Sequence, residues 1–93
     1  MPQAMEWRVR LHLVEEGGTT KARAEIDTGS TVLTGHGVAH RSPADTDVPR
    51  IGDELAAGRA LQDLGRQLVD IARRDIRAAG ATEPEPPAVG WPL

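Results

Sequence analysis

Asp27-Thr28-Gly29-Ser30 is the stretch of this 93-residue chain with the sharpest chemical meaning. An aspartate held in such a turn can share a proton with a second aspartate, and the pair can activate water for attack on an amide. The chain carries the tetrapeptide once, so the second carboxylate would have to come from another copy. Histidine is the next candidate, because a neutral imidazole is a good metal ligand and a good general base. There are three, His12, His36 and His40. A basic group follows: Arg8, Arg10, Lys21 and Arg23, diluted by Glu6, Glu25 and Asp27.

Each of these has a plainer reading. The Asp-Thr-Gly-Ser stretch resembles the active-site segment of retroviral-type aspartic proteases, and Arg50-Ile51-Gly52-Asp53 is similar to the segment before their C-terminal helix. Only residues 31–49 lie between the two, too few for a flap and several strands, and Glu25 stands where an apolar residue is expected. Asp27 is therefore expected to end a strand, with Thr28-Gly29 making a turn. The histidines fall on the outward parity of their strands. His36 and His40 would lie roughly 13 Å apart at about 3.3 Å per residue, too far to share an ion. Asp45-Thr46-Asp47 begins like a calcium loop, but Pro49 occupies the third ligand position and no glycine follows in register. Catalytic, cofactor-binding and metal-ligating residues are accordingly expected to be none. Arg8, Arg10, His12, Lys21, Arg23, His36 and His40 are kept as a candidate partner surface.

The elements that position these residues are legible in the alternation. Trp7, Val9, Leu11 and Leu13 share one parity and Glu6, Arg8, Arg10 and His12 the other, which predicts a half-buried strand over 6–15. Gly17-Gly18 suits a tight hairpin turn. Ala22, Ala24 and Ile26 then define the inward face of a second strand. In a third, Leu33, Gly35, Gly37 and Ala39 are assigned inward, because small residues let a helix approach closely. Short connections make the three an antiparallel meander.

Ser42 to Arg50 reads as a loop. A helix is expected to start between Pro49 and Glu54, with Asp53-Glu54 in its first turn, and to end near Ala79 at a Gly80 cap. Its apolar stripe is read as Ala57, Leu61, Leu64, Leu68, Ile71, Ala72 and Ile76, with Gln62, Asp63 and Arg66 opposite. Leu64 and Leu68 are expected to be buried, and Gly58 and Gly65 to lie at the edge of the stripe and draw helix and sheet together. Residues 81–93 carry four prolines and read as an extended tail with Trp91 near its end. The predicted organisation is a short arm (1–5), one α+β domain (6–80) and that tail.

Composition narrows function by exclusion. No cysteine is present, so disulfides and thiolate metal sites are ruled out, which fits a reducing cytoplasm. The net charge of −3 gives no overall attraction to nucleic acid or to an anionic membrane. The N-terminus lacks the basic and apolar regions of a signal peptide, and a cytoplasmic location is expected.

The segments Arg41-Ser42-Pro43-Ala44-Asp45 and Val48-Pro49-Arg50-Ile51-Gly52-Asp53-Glu54-Leu55-Ala56-Ala57-Gly58-Arg59-Ala60-Leu61 resemble a known family. So do Leu33-Thr34-Gly35-His36-Gly37 and Ala39. It is the actinobacterial domain-of-unknown-function family 1876, small proteins classed with double-stranded-RNA-binding-domain-like folds. The resemblance spans Trp7 to Arg77 and implies three antiparallel strands and a helix, β-β-β-α, without the N-terminal helix of the RNA-binding domains. It implies no activity. Asp53 and Glu54 stand where such domains need lysines against phosphate. The expected function is a non-enzymatic association or accessory module, most simply a homodimer. A weak nucleic-acid-binding domain is the alternative, and the aspartic protease comes third.

Overall fold

The computed structural model describes residues 2–42, 44 and 48–80. The expected loop aspartates at 45 and 47, the tail at 81–93 and Trp91 lie outside them. Three strands, β1 (Val9–Glu16), β2 (Thr19–Asp27) and β3 (Val32–His40), precede one helix, α1 (Pro49–Ala78). They form an antiparallel sheet in the order β1-β2-β3. This is the expected α+β meander with a single C-terminal helix on one face.

Local chemistry explains each connection. Gly17 and Gly18 both have positive φ, 57° and 78°, the combination a two-residue hairpin needs to match strand twist. At the second turn Asp27 Oδ1 accepts the Gly29 N–H at 2.8 Å, and Thr28 N–H donates to the Thr31 carbonyl at 3.0 Å. Pro49 opens the helix, where its missing N–H costs nothing. Because the helix starts there, Asp53-Glu54 falls in the second turn and not the first. Gly80 ends it with φ 76°.

The core is small and made of small side chains. Ala22, Ala24, Ile26 and Ala39 from the sheet meet Ala56, Ala60 and Leu64 from the helix, with Leu33 alongside. Gly35 and Gly37 set the spacing. A Cβ at Gly35 would run into the Ala60 carbonyl oxygen and lie 2.6 Å from the Leu64 nitrogen. At Gly37 it would strike the Ala56 carbonyl oxygen and the Ala60 nitrogen. Helix backbone thus lies almost on strand backbone, as the inward assignment of these glycines anticipates.

The helix seam differs from the expected stripe. Ala56, Ala60 and Leu64 are buried, whereas Leu61 and Ala72 are exposed and Ala57, Leu68, Ile71 and Ile76 are only half-buried. A glycine-floored sheet accepts alanine against it, so the seam rotates from the large aliphatics onto the small residues. Gly58 and Gly65 have nothing within 4 Å of a built Cβ, so neither draws the layers together. Gly52 does: a Cβ there would lie 3.0 Å from Oγ1 of the buried Thr20.

Candidate association surface

Helix α1 rides over β3 and β2 and leaves β1 exposed along its length. On the β3 side it closes the sheet edge with polar side chains. Asp63 Oδ2 accepts the His36 N–H at 2.8 Å, Arg59 donates to the Val38 carbonyl at 2.7 Å, and Gln67 donates to the Thr34 carbonyl at 2.8 Å. Arg59, Asp63 and Gln67 follow one another at four-residue intervals, the spacing of one helix face. Asp63 was expected on the far side from the sheet. It turns to the edge because β3 there offers an unpaired N–H. That bond, with a second from Arg66 at 3.1 Å, holds the Asp63 carboxyl below its ordinary range.

The other edge has no such cover. Val9, Leu11 and Leu13 pair with Ile26, Ala24 and Ala22, so they sit on the helix side of the sheet. Yet they are 43%, 41% and 44% exposed, and Trp7 just before them is 50% exposed. The strand was expected to be half-buried by the helix. One helix, about 10 Å wide, covers little more than two strands lying roughly 4.8 Å apart, and α1 approaches β1 only sparsely. Leu55, Leu61 and Val69 are exposed as well.

The seven candidate partner residues share the opposite face of the sheet. His12 pairs with Arg23 and Arg23 with His36, so these three form one row across it. Arg10 pairs with Glu25, and Lys21 stands between Val14 and Val38. Arg8 lies beside a concavity shared with Trp7, Arg10, Glu25 and Asp27. Much of the positive charge is answered locally, by Arg23–Glu25 at 3.7 Å and Arg8–Glu6 at 3.5 Å. His40 sits at the far end, its Nδ1 hydrogen-bonded to Thr19 Oγ1 at 3.0 Å. Among the described residues no His, Asp or Glu cluster could hold a metal ion. Asp27 ends β2 and Thr28-Gly29 makes the expected turn, closed by its own hydrogen bonds.

The likeness to known proteins runs through the whole of this arrangement. Residues 5–85 match the profile of the Rv2632c-like family. The crystal structure of Rv2632c superposes with a TM-score of 0.80 at 33% identity, covering 88% of this chain and 98% of that one. The chain belongs to the Rv2632c-like family. Mycobacterium tuberculosis Rv2632c itself is 43% identical over 68 residues, spanning 72% of this chain and 73% of that protein. Mycobacterium bovis Mb1767 is 42% identical over 72 residues, 77% of each. Both are named as uncharacterized proteins, and what Rv2632c-like membership carries to this chain is the β-β-β-α architecture.

Proposed function

We propose that this Rv2632c-like domain is a non-enzymatic, cytoplasmic association module that works as a homodimer. The observation that carries the reading is the exposed strand: Val9, Leu11 and Leu13 all stand more than two-fifths exposed along a sheet edge. A long apolar edge invites pairing or aggregation unless something covers it. The apolar helix flank at Leu55, Leu61 and Val69 adds to the surface that a second subunit would cover. Cyclic dimers are the commonest closed assembly, and a single patch suffices for one. Light scattering across a concentration series tests the reading. A dimer mass is expected, reverting to monomer in Leu11→Arg, and a monomeric mass at hundreds of micromolar would overturn it.

The second reading, a weak nucleic-acid surface of the double-stranded-RNA-binding-domain-like class, draws on the gathering of Arg8, Arg10, Lys21 and Arg23 on one face. Interleaved Glu25, Asp27 and Glu16 oppose it, and no helix precedes β1 among residues 2–8. Duplex RNA is expected to bind at background level at physiological salt. Micromolar binding that falls steeply with added salt would make this the better reading.

A further inference from the structure

We infer that two copies join through β1, antiparallel, with the two-fold axis passing at His12, so that the two three-stranded sheets become one of six strands. The inference rests on the association reading above and specifies where the copies meet.

The backbone decides which groups are available. His36 N–H and the Thr34 and Val38 carbonyls point to the helix, away from β2. Antiparallel ladders alternate, so Leu33, Gly35, Gly37 and Ala39 are the residues of β3 bonded to β2. Their partners Ile26, Ala24 and Ala22 face β3, which leaves Glu25, Arg23 and Lys21 to face β1. On β1 the bonded residues are then Arg10, His12 and Val14. The main-chain groups of Val9, Leu11 and Leu13 point out of the sheet edge, beneath the same apolar side chains that the helix leaves bare.

The occupant is chosen by the strand's own charge pattern. About His12, an antiparallel second copy sets Arg8 against Glu16 on the outward face, twice by symmetry. Arg10 meets Val14, and His12 meets its own copy. On the helix side Leu11 meets Leu13 beside the axis and Val9 meets Glu15 at the strand ends, each twice. An axis one residue earlier, at Leu11, sets Glu6 against Glu16 and Arg10 against His12. One residue later, at Leu13, Arg10 faces Glu16 but Glu15 moves inward against Leu11, Leu13 meets only its own copy, and Arg8 is left beyond the paired strand. Directly opposed residues of antiparallel strands share a face, so this axis is perpendicular to the sheet and both helices stand on the same side. Arg8 now holds Glu6 of its own chain at 3.5 Å with a side chain 91% exposed, so exchange to Glu16 of another copy is unobstructed.

The chain has no cysteine, which makes the register directly readable. His12 would oppose its copy at a non-hydrogen-bonded site, where Cα atoms approach to about 4.5 Å, within disulfide reach. Mild oxidation of His12→Cys is expected to give near-complete covalent dimer. Arg10→Cys and Val14→Cys are each expected to stay monomeric under denaturation, but to cross-link when mixed. Val38→Cys, on the same face but on the far edge strand β3, reports random collision, and equal cross-linking there would overturn the inference. A dimer mass without the His12→Cys link, or with the link at Leu11→Cys instead, would overturn the axis and leave the association reading standing. A monomeric mass throughout would end both. Independently, Arg8→Glu is expected to weaken the dimer about ten-fold, within the range of two exposed ion pairs, and Arg8→Glu/Glu16→Arg to restore it. No restoration would count against this pairing.

Discussion

Asp63, on the helix, and His36, on β3, are joined by a hydrogen bond from main-chain N–H to carboxylate at 2.8 Å. The bond favours the ionised form of Asp63, as does Arg66 beside it, and its folded pKa therefore lies below the ordinary 3.8. A carboxylate with a lowered folded pKa contributes stability that is complete above the unfolded value and is lost as pH falls through the folded one. Asp63→Asn is thus expected to be less stable than the parent at pH 7, with the gap closing below about pH 4. Denaturant midpoints across pH 7 to pH 2.5 check this. A gap that stays constant would show that the ionised carboxylate is not what caps β3.

Gly35→Ala and Gly58→Ala should have opposite effects although the substitution is the same. At Gly35 the new methyl meets helix backbone that cannot yield locally. A loss of about 3 kcal/mol or more is expected. At Gly58, exposed within the helix with nothing within 4 Å, a gain of about 0.5–1 kcal/mol is expected from helix propensity. Chemical denaturation of the two variants reads both. Equal effects would mean that the helix does not seat on the glycines.

Leu64→Ala is expected to cost about 2–5 kcal/mol, since Leu64 is the largest fully engaged side chain of the helix seam, 3% exposed. Leu61→Ala, at 42% exposed, should cost less than about 1 kcal/mol in the monomer. If the costs came out reversed, the apolar stripe read from the sequence would be the true seam.

Asp27→Asn should leave stability within about 0.5 kcal/mol, because asparagine keeps the Oδ1 that accepts the Gly29 N–H. Asp27→Ala should cost about 1 kcal/mol. Neither should alter any peptide-cleaving activity of the preparation. Pepstatin-sensitive cleavage that vanished in Asp27→Asn would restore the protease reading of the tetrapeptide.

The strands were legible because alternation and turn chemistry agree. Ala22, Ala24 and Ile26 share a parity, Gly17-Gly18 supplies two positive φ angles, and both appear as expected. The inward setting of Gly35 and Gly37 was legible too, because only a close neighbour explains glycine there. The rotation of the helix was not. Pattern reading weights large aliphatics, and Leu61 and Leu68 outvote Ala56 and Ala60, although contact over a glycine floor goes to the smaller residues. The reach of Asp63 to His36 was hidden for a related reason: a charged residue beside the seam looks like a solvated one. The four-residue spacing of Arg59, Asp63 and Gln67 was the available signal, and it acquires meaning only once the neighbouring strand is known to be an edge. The bare face of β1 escaped because alternation shows which residues point to a core, not whether the cover is wide enough to reach them.

The seating of the helix on Gly35 and Gly37 also separates two kinds of inheritance within the chain. The contact is backbone on backbone, so helix placement does not depend on the side chains of β1. Substitutions at Val9, Leu11 or Leu13 can therefore accumulate without tilting the helix or loosening the Ala56–Ala60–Leu64 seam. Lineages carrying this fold can vary the exposed side chains of one strand while keeping the other two fixed. Sequence drift among them should accordingly be concentrated on β1 and sparse at residues 35, 37, 56 and 60.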